Sequence, residues 1–178
     1  MALSAFVATL RQRWRRYLVE ATVFLVVILL IHFWQTRHVP AGPAPEITGV
    51  MADGSHMTLS EFRARHPGRP VAIHFWAEWC PICRAEESSI DALRNDHPVL
   101  TVAMQSGTAP IVSQVLNARQ LSWPTLVDAE GKISQSYGVQ AVPAFVVVDP
   151  AGQLRFFEPG YTTQIGMRLR LWWAQQFP

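Results

Sequence analysis

Cysteine is scarce: the 178 residues include only two, Cys80 and Cys83. Two cysteines cannot build a disulfide framework, and alone they cannot close a structural zinc site, which takes four ligands. They can form one short-range dithiol. Charge is scarce too. Asp, Glu, Lys and Arg make up 16% of the chain and the net charge is +2, too weak a field to argue for nucleic acid. With 49% hydrophobic residues the chain is too apolar to be disordered. There is no internal repeat and no low-complexity run, so a solenoid or a fibrous chain is excluded.

The charge that is present is unevenly placed. Residues 1–38 carry Arg11, Arg13, Arg15, Arg16 and Arg37 against Glu20 alone, whereas residues 39–178 carry ten Lys or Arg against twelve Asp or Glu. The basic cluster abuts the apolar run VEATVFLVVILLIHFW, residues 19–34. Counted from Tyr17 to Trp34 the run is 18 residues, just enough to span a bilayer. Trp14, Tyr17, Phe33 and Trp34 flank it, where aromatics favour the headgroup region. Four arginines before the run and one after it place the N-terminus in the cytoplasm and the rest beyond the membrane. The division expected is a basic segment over 1–17, a transmembrane anchor over 18–37, a tether over 38–45 and a globular domain over 46–178. The alternative is a cleaved signal peptide, but no small-x-small cleavage site follows the run directly. Either way the domain is exported to a compartment that permits disulfides.

The tether HVPAGPAP holds three prolines in eight residues and reads as a stiff extended spacer. Asp53-Gly54 between short apolar stretches predicts a hairpin over 47–58. Thr58-Leu-Ser-Glu61 predicts a capping box and a helix to about Arg65. The β-branched and aromatic run VAIHFWA at 71–77 predicts a buried strand, and Pro81 to Asn95 a helix. Further on, 100–104 reads as a strand, 111–119 as a helix, 126–127 as a short strand or turn and 128–131 as a turn. Residues 144–148 and 154–157 read as a hairpin, and 163–176 as a closing helix with Ile165, Leu169 and Trp172 on one face. The expected order β-α-β-α-β-β-α makes an α/β layered fold around a mixed sheet.

The segment FWAEWCPIC, residues 75–83, sits where that strand hands over to that helix. Cysteines three apart on a helical turn lie within disulfide reach. Cys80 would be the N-cap, with Pro81 at the first helical position, where a missing N–H costs nothing. A sulfur there faces unpaired N–H groups and the positive end of the helix dipole, which favour thiolate over thiol. Cys80 is therefore expected to be the exposed attacking nucleophile and Cys83 the resolving thiol. A structural disulfide or a Cu(I) site are the other uses of such a pair. About sixty residues on, Val142-Pro143 immediately precedes the apolar run AFVVV. Proline cannot sit inside a central strand, so Pro143 should mark the strand's start. A cis bond there would fold the loop against the dithiol and free the Val142 backbone for an extended substrate.

Residues 47–157 resemble the thioredoxin superfamily. FWAEWC is similar to its active-site strand and turn, and YGVQAVPAFVVVD to its cis-proline strand. The resemblance is nearer to the membrane-anchored TlpA-like and cytochrome c maturation branch, and nearest to the ScsD type (suppressor of copper sensitivity), through the basic start, the CPxC motif and the closing GYTT…RLRLWW segment. It implies a thioredoxin-like fold behind a single membrane helix, and a protein disulfide oxidoreductase of the bacterial inner membrane with its catalytic domain in the periplasm. It implies Cys80, Cys83 and a cis Pro143 as the catalytic set and no cofactor beyond the redox disulfide. Trp79, Pro81, Ile82 and Val142 would form the substrate-docking surface. Its partners would be disulfide-bearing proteins and a membrane electron carrier of the DsbD or ScsB kind. The direction of exchange stays open between a reductase, including one serving apocytochrome c, and a disulfide donor, and a copper-binding dithiol module is the rival from another class.

The sequence departs from the family in places. Where thioredoxins bury an acid six residues before the first cysteine, this chain has His74, which is either a proton relay or a hydrogen-bonded core histidine. Glu86, three residues after Cys83, matches a glutamate that TlpA-like reductases place near the dithiol; the alternative is a solvated helix acid. The Pro81-Ile82 dipeptide adds no polar group to steady the Cys80 thiolate. His56, His66 and His97 show no ligand spacing, the scattered methionines suit core filling, and Arg168 and Arg170 read as a solvated face.

Overall fold

The computed structural model describes residues 14, 17–28, 30, 40 and 42–177. The chain divides into two units, 1–37 and 38–178. In the first, residues 17–28 are helical. Among the described residues no helix is long and apolar enough to cross a membrane. Most of the flanking residues on which the expected anchor depends, namely Arg11, Arg13, Arg15, Arg16, Phe33, Trp34 and Arg37, lie outside the described residues.

The second unit is built on a five-stranded mixed sheet. Its strands are β3 (Val71–Trp76), β4 (Val99–Met104), β5 (Thr125–Asp128), β6 (Ala144–Val148) and β7 (Leu154–Pro159), in the order β5-β4-β3-β6-β7. β3, β4 and β5 are parallel, and β6 and β7 are antiparallel to their neighbours. A separate hairpin of β1 (Thr48–Val50) and β2 (His56–Thr58) turns at Asp53-Gly54. The helices are α1 (Leu59–Ala64), α2 (Pro81–Arg94), α3 (Ala109–Ala118), α4 (Lys132–Ser136) and α5 (Gln164–Gln176).

β3 is apolar along its whole length because both of its faces are buried. Ala72 and Trp76 point into a core with Ile90 and Leu93 of α2, Val112 and Leu116 of α3, and Met167 and Leu171 of α5. Val71, Ile73 and Phe75 point into the opposite core with Leu59 and Phe62 of α1, Met57 of the hairpin and Tyr137. The period-2 alternation of a strand thus feeds two layers. Thr58 caps α1 as a full capping box: its side chain accepts from Glu61 N–H, and the Glu61 carboxylate accepts from Thr58 N–H.

Four features depart from the sequence reading or extend it. The turn chemistry at 128–131 continues into α4, because the Asp128 carboxylate accepts from the Ile133 and Ser134 N–H groups and caps that short helix. The described part of the tether is not a free spacer. Pro43 bridges Gln153, Ala44 N–H donates to the Gly152 carbonyl at 2.9 Å and Leu154 N–H donates to the Gly42 carbonyl at 2.9 Å. α5 buries Met167, Leu171 and Ala174, so the face of Ile165, Leu169 and Trp172 is the outer one. Arg168 and Arg170 are not a solvated face. They are partly buried in pairs with Asp96 at 2.6 Å and Glu158 at 2.7 Å, because α5 lies against α2 and β7.

Candidate active site

Cys80 is the N-cap of α2 and Pro81 its first residue. The extended backbone of Cys80 lets its sulfur turn back over the helix end, where it accepts from the Cys83 N–H at 3.1 Å. Cys80 and Cys83 form a disulfide with their Cα atoms 5.3 Å apart. The Val142–Pro143 peptide bond is cis, and the Val142 carbonyl lies 3.6 Å from the Cys80 sulfur. Pro143 directly precedes β6, as strand chemistry requires of a residue without an N–H. The structure thus brings together Cys80 and the first turn of α2, with Pro81 and Cys83, and the Val142–Pro143 loop.

Cys80 was expected to be exposed, and here the structure differs. In the disulfide state Cys80 is 3% exposed and Cys83 2%. The helix end lies on one side of the Cys80 sulfur and the Val142 loop on the other, which leaves only a narrow opening. The exposed surface around it belongs to Trp79, 58% exposed, and Ile82, 52% exposed.

Beneath the dithiol helix lie the two acid–base candidates. His74 is fully buried in β3, and its Nδ1 is 3.9 Å from Glu86 Oε2, beyond hydrogen-bond reach. Glu86 is 1% exposed, so it is not the solvated helix acid of the alternative reading. Its Oε1 accepts from the Thr162 N–H, which ties α2 to the loop that opens α5. Burial pushes the Glu86 carboxyl up to about 7, against the opposing pull of the Thr162 N–H. Burial pushes His74 down to about 3. The pair is therefore a neutral imidazole beside a carboxyl that gains or loses its proton around neutral pH, not an ion pair. The Trp123 ring stands edge-on to both His74 and Trp76, with centroids at 6.0 and 5.8 Å. Among the described residues no group of three or more His, Cys, Asp or Glu is placed to hold a metal ion.

The support of the active-site turn escaped the sequence reading. Arg119, the C-cap of α3, donates to Glu87 Oε1 at 2.8 Å and to the Glu78 carbonyl at 2.8 Å, with its guanidinium 5.8 Å from the Trp76 ring. Ser106 Oγ accepts from the Glu78 N–H at 3.0 Å, and the Gln105 carbonyl accepts from Trp79 Nε1 at 3.2 Å. These partners lie 26 to 41 residues from the turn. A single sequence carries no local pattern that would have found them.

The sequence profile of the Redoxin family matches residues 40–165, which hold the dithiol, the cis-proline loop and all seven strands. The chain belongs to the redoxin family. This redoxin is 23% identical over 155 residues to a thioredoxin-like protein of Haemophilus influenzae, covering 86% of this chain and 90% of the relative. It is 25% identical over 127 residues to the thiol-disulfide oxidoreductase YkuV of Bacillus subtilis, covering 66% and 84%. It is 26% identical over 111 residues to a thiol:disulfide interchange protein DsbE homolog of Paracoccus denitrificans, covering 62% and 61%. Among solved structures it is similar to the exposed lipoprotein thioredoxin Etrx1 of Streptococcus pneumoniae, with a TM-score of 0.63 and 26% identity over 71% of this chain and 98% of that one. With the Cys80–Cys83 pair in place, this redoxin is a thiol–disulfide oxidoreductase of thioredoxin-like fold.

Proposed function

We propose that this redoxin is a reductase of protein disulfides, anchored in the bacterial inner membrane through residues 18–37 with its catalytic domain in the periplasm, as in the ScsD type it resembles. The observation that carries the chemistry is the Cys80–Cys83 disulfide at the α2 N-terminus, opposite the Val142 carbonyl. In the reduced enzyme the Cys80 thiolate attacks one sulfur of a substrate disulfide. A mixed disulfide forms and one substrate thiolate leaves. The Cys83 thiolate then attacks the Cys80 sulfur, the second substrate thiolate leaves, and the two electrons of the dithiol have passed to the substrate. Substrate backbone would lie along Val142, with Trp79, Pro81 and Ile82 forming the surface it meets. Glu86, pushed up to about 7, is suited to hold or release the proton of the buried Cys83 near neutral pH, and His74 stays uncharged beside it. A membrane carrier of the DsbD or ScsB kind would return the electrons.

The reducing direction is supported by what steadies the Cys80 sulfur. It accepts one N–H, from Cys83, at the helix end, and the intervening Pro81-Ile82 adds no polar side chain. A strong oxidant needs a strongly stabilised reduced form, and these donors are few. The test is the reduction potential of residues 39–178, equilibrated in dithiothreitol or glutathione buffers with free thiols counted. A potential near about −270 mV is expected, and one near about −120 mV would reverse the direction.

A further inference from the structure

Helix α5 is apolar on two sides. Met167, Leu171 and Ala174 fill the core against α2 and β6. On the other side Ile165 is 72% exposed, Leu169 59%, Trp172 55% and Trp173 52%. These positions follow the i, i+4, i+7, i+8 spacing of a single stripe. Phe177 extends the stripe past the helix end, its ring 4.6 Å from that of Trp173. A contiguous apolar strip of this size marks an interaction surface.

Two observations identify what covers it. The first is where the chain enters the domain. Gly42 and Ala44 are hydrogen-bonded to the β6–β7 turn, and Arg155, at the start of β7, donates to the Phe177 carbonyl at 2.7 Å. The N-terminal segment therefore joins the domain at the pole where the stripe ends. Only residues 38–41 separate Gly42 from residue 37, a reach of at most about 18 Å. The second is the chemistry of α5. Its exposed stripe is Ile, Leu and Trp, its only charged residues are Arg168 and Arg170, and it has no acid, so its outward face offers a bilayer apolar and interfacial aromatic side chains with no negative charge to repel anionic headgroups. Both arginines are matched by acids outside the helix, Asp96 and Glu158, so the apolar stripe rather than net charge carries the association.

We propose that the outer face of α5 rests on the lipid bilayer; the proposal depends on residues 18–37 being a membrane anchor. α2 and α5 run side by side in the same direction, since Thr162 meets Glu86 at one end and Arg168 meets the Ala92 carbonyl further along. Docking through α5 therefore lays α2 along the membrane, with the dithiol end opening sideways.

The experiment places the full chain in phosphatidylethanolamine–phosphatidylglycerol nanodiscs containing a photoactivatable lipid and maps labelled peptides by mass spectrometry. Labelling of both 18–37 and 165–177 is expected. Combined Leu169→Asp and Trp172→Asp substitutions, on exposed positions outside the dithiol site, should lower the 165–177 label at least about tenfold while the 18–37 label and disulfide turnover persist. Label confined to 18–37 overturns the docking and leaves the anchor standing. A chain that carries no label and separates from the nanodiscs overturns both. Cross-linking of 165–177 to a second copy, rising with protein concentration in detergent, assigns the face to a dimer and overturns the proposal.

Discussion

At the scale of single residues, the dithiol and two buried polar groups, His74 and Glu86, are the ones to test. Cys83→Ala should accumulate mixed disulfides through Cys80, visible as dithiothreitol-sensitive adducts on gels, whereas Cys80→Ala should accumulate none, because Cys80 is the sulfur at the helix N-cap, where the N–H groups favour its thiolate. Glu86 makes stability depend on pH. Its folded value of about 7 exceeds the ordinary 4.5, so the folded protein keeps a proton that the unfolded chain gives up in that interval. Stability therefore falls as pH rises from about 4.5 through 7. His74 has the opposite sign: its folded value of about 3 lies below 6.5, so stability falls as pH drops through that window. Between pH 5 and about 6.5 the two slopes oppose each other, so in urea unfolding wild-type stability should change little there and fall only toward pH 7, whereas Glu86→Gln, left with the His74 contribution, should gain on the order of 2 kcal/mol from about pH 5 to 6.5. An identical slope in the variant would mean that Glu86 is already ionised at pH 5. These groups were legible in different degrees. The cysteines announce themselves by spacing. His74 and Glu86 could be named from the motif, but whether Glu86 is solvated depends on α5 covering α2, which no local pattern encodes.

At the scale of elements, caps and strand periodicity were readable because their causes are local. The capping box of α1, the N-cap of α2 and the doubly buried run of β3 each lie within a few residues. Thr58→Ala should remove the α1 cap at a cost of about 1 kcal/mol, measured by urea unfolding. The joint between α3 and the active-site turn is not local. Arg119→Met would leave the Glu78 carbonyl and the Glu87 carboxylate without their donor, with an expected loss of about 2 kcal/mol. Glu87→Gln should cost little more once Arg119 is gone, and a double-mutant cycle reads that coupling. Which face of α5 is the inner one was not legible for the same reason. Its two sides are both apolar, so helical spacing alone could not say which one the sheet would claim.

At the scale of the whole molecule, the two core clusters draw, among the described residues, on residues from Ala44 to Ala174. Residues 39–178 should therefore melt cooperatively and reduce insulin at the rate of the full chain, as followed by circular dichroism and turbidity. A domain that fails to fold would show that residues 1–38 contribute to stability. The sequence by itself determined the redox pair and the order of the main strands and helices, because those depend on residue type and short spacing, whereas the cis bond at Pro143 was implied only by the resemblance to the thioredoxin superfamily. Only the tertiary structure decided that Cys80 is shielded in the disulfide state, that Glu86 is held near neutral, that Arg119 clamps the active-site turn and that an apolar stripe of α5 faces outward. Each of those is set by segments far apart in the chain, and burial, the property that shifts a carboxyl or leaves a tryptophan in solvent, exists only once they have packed together.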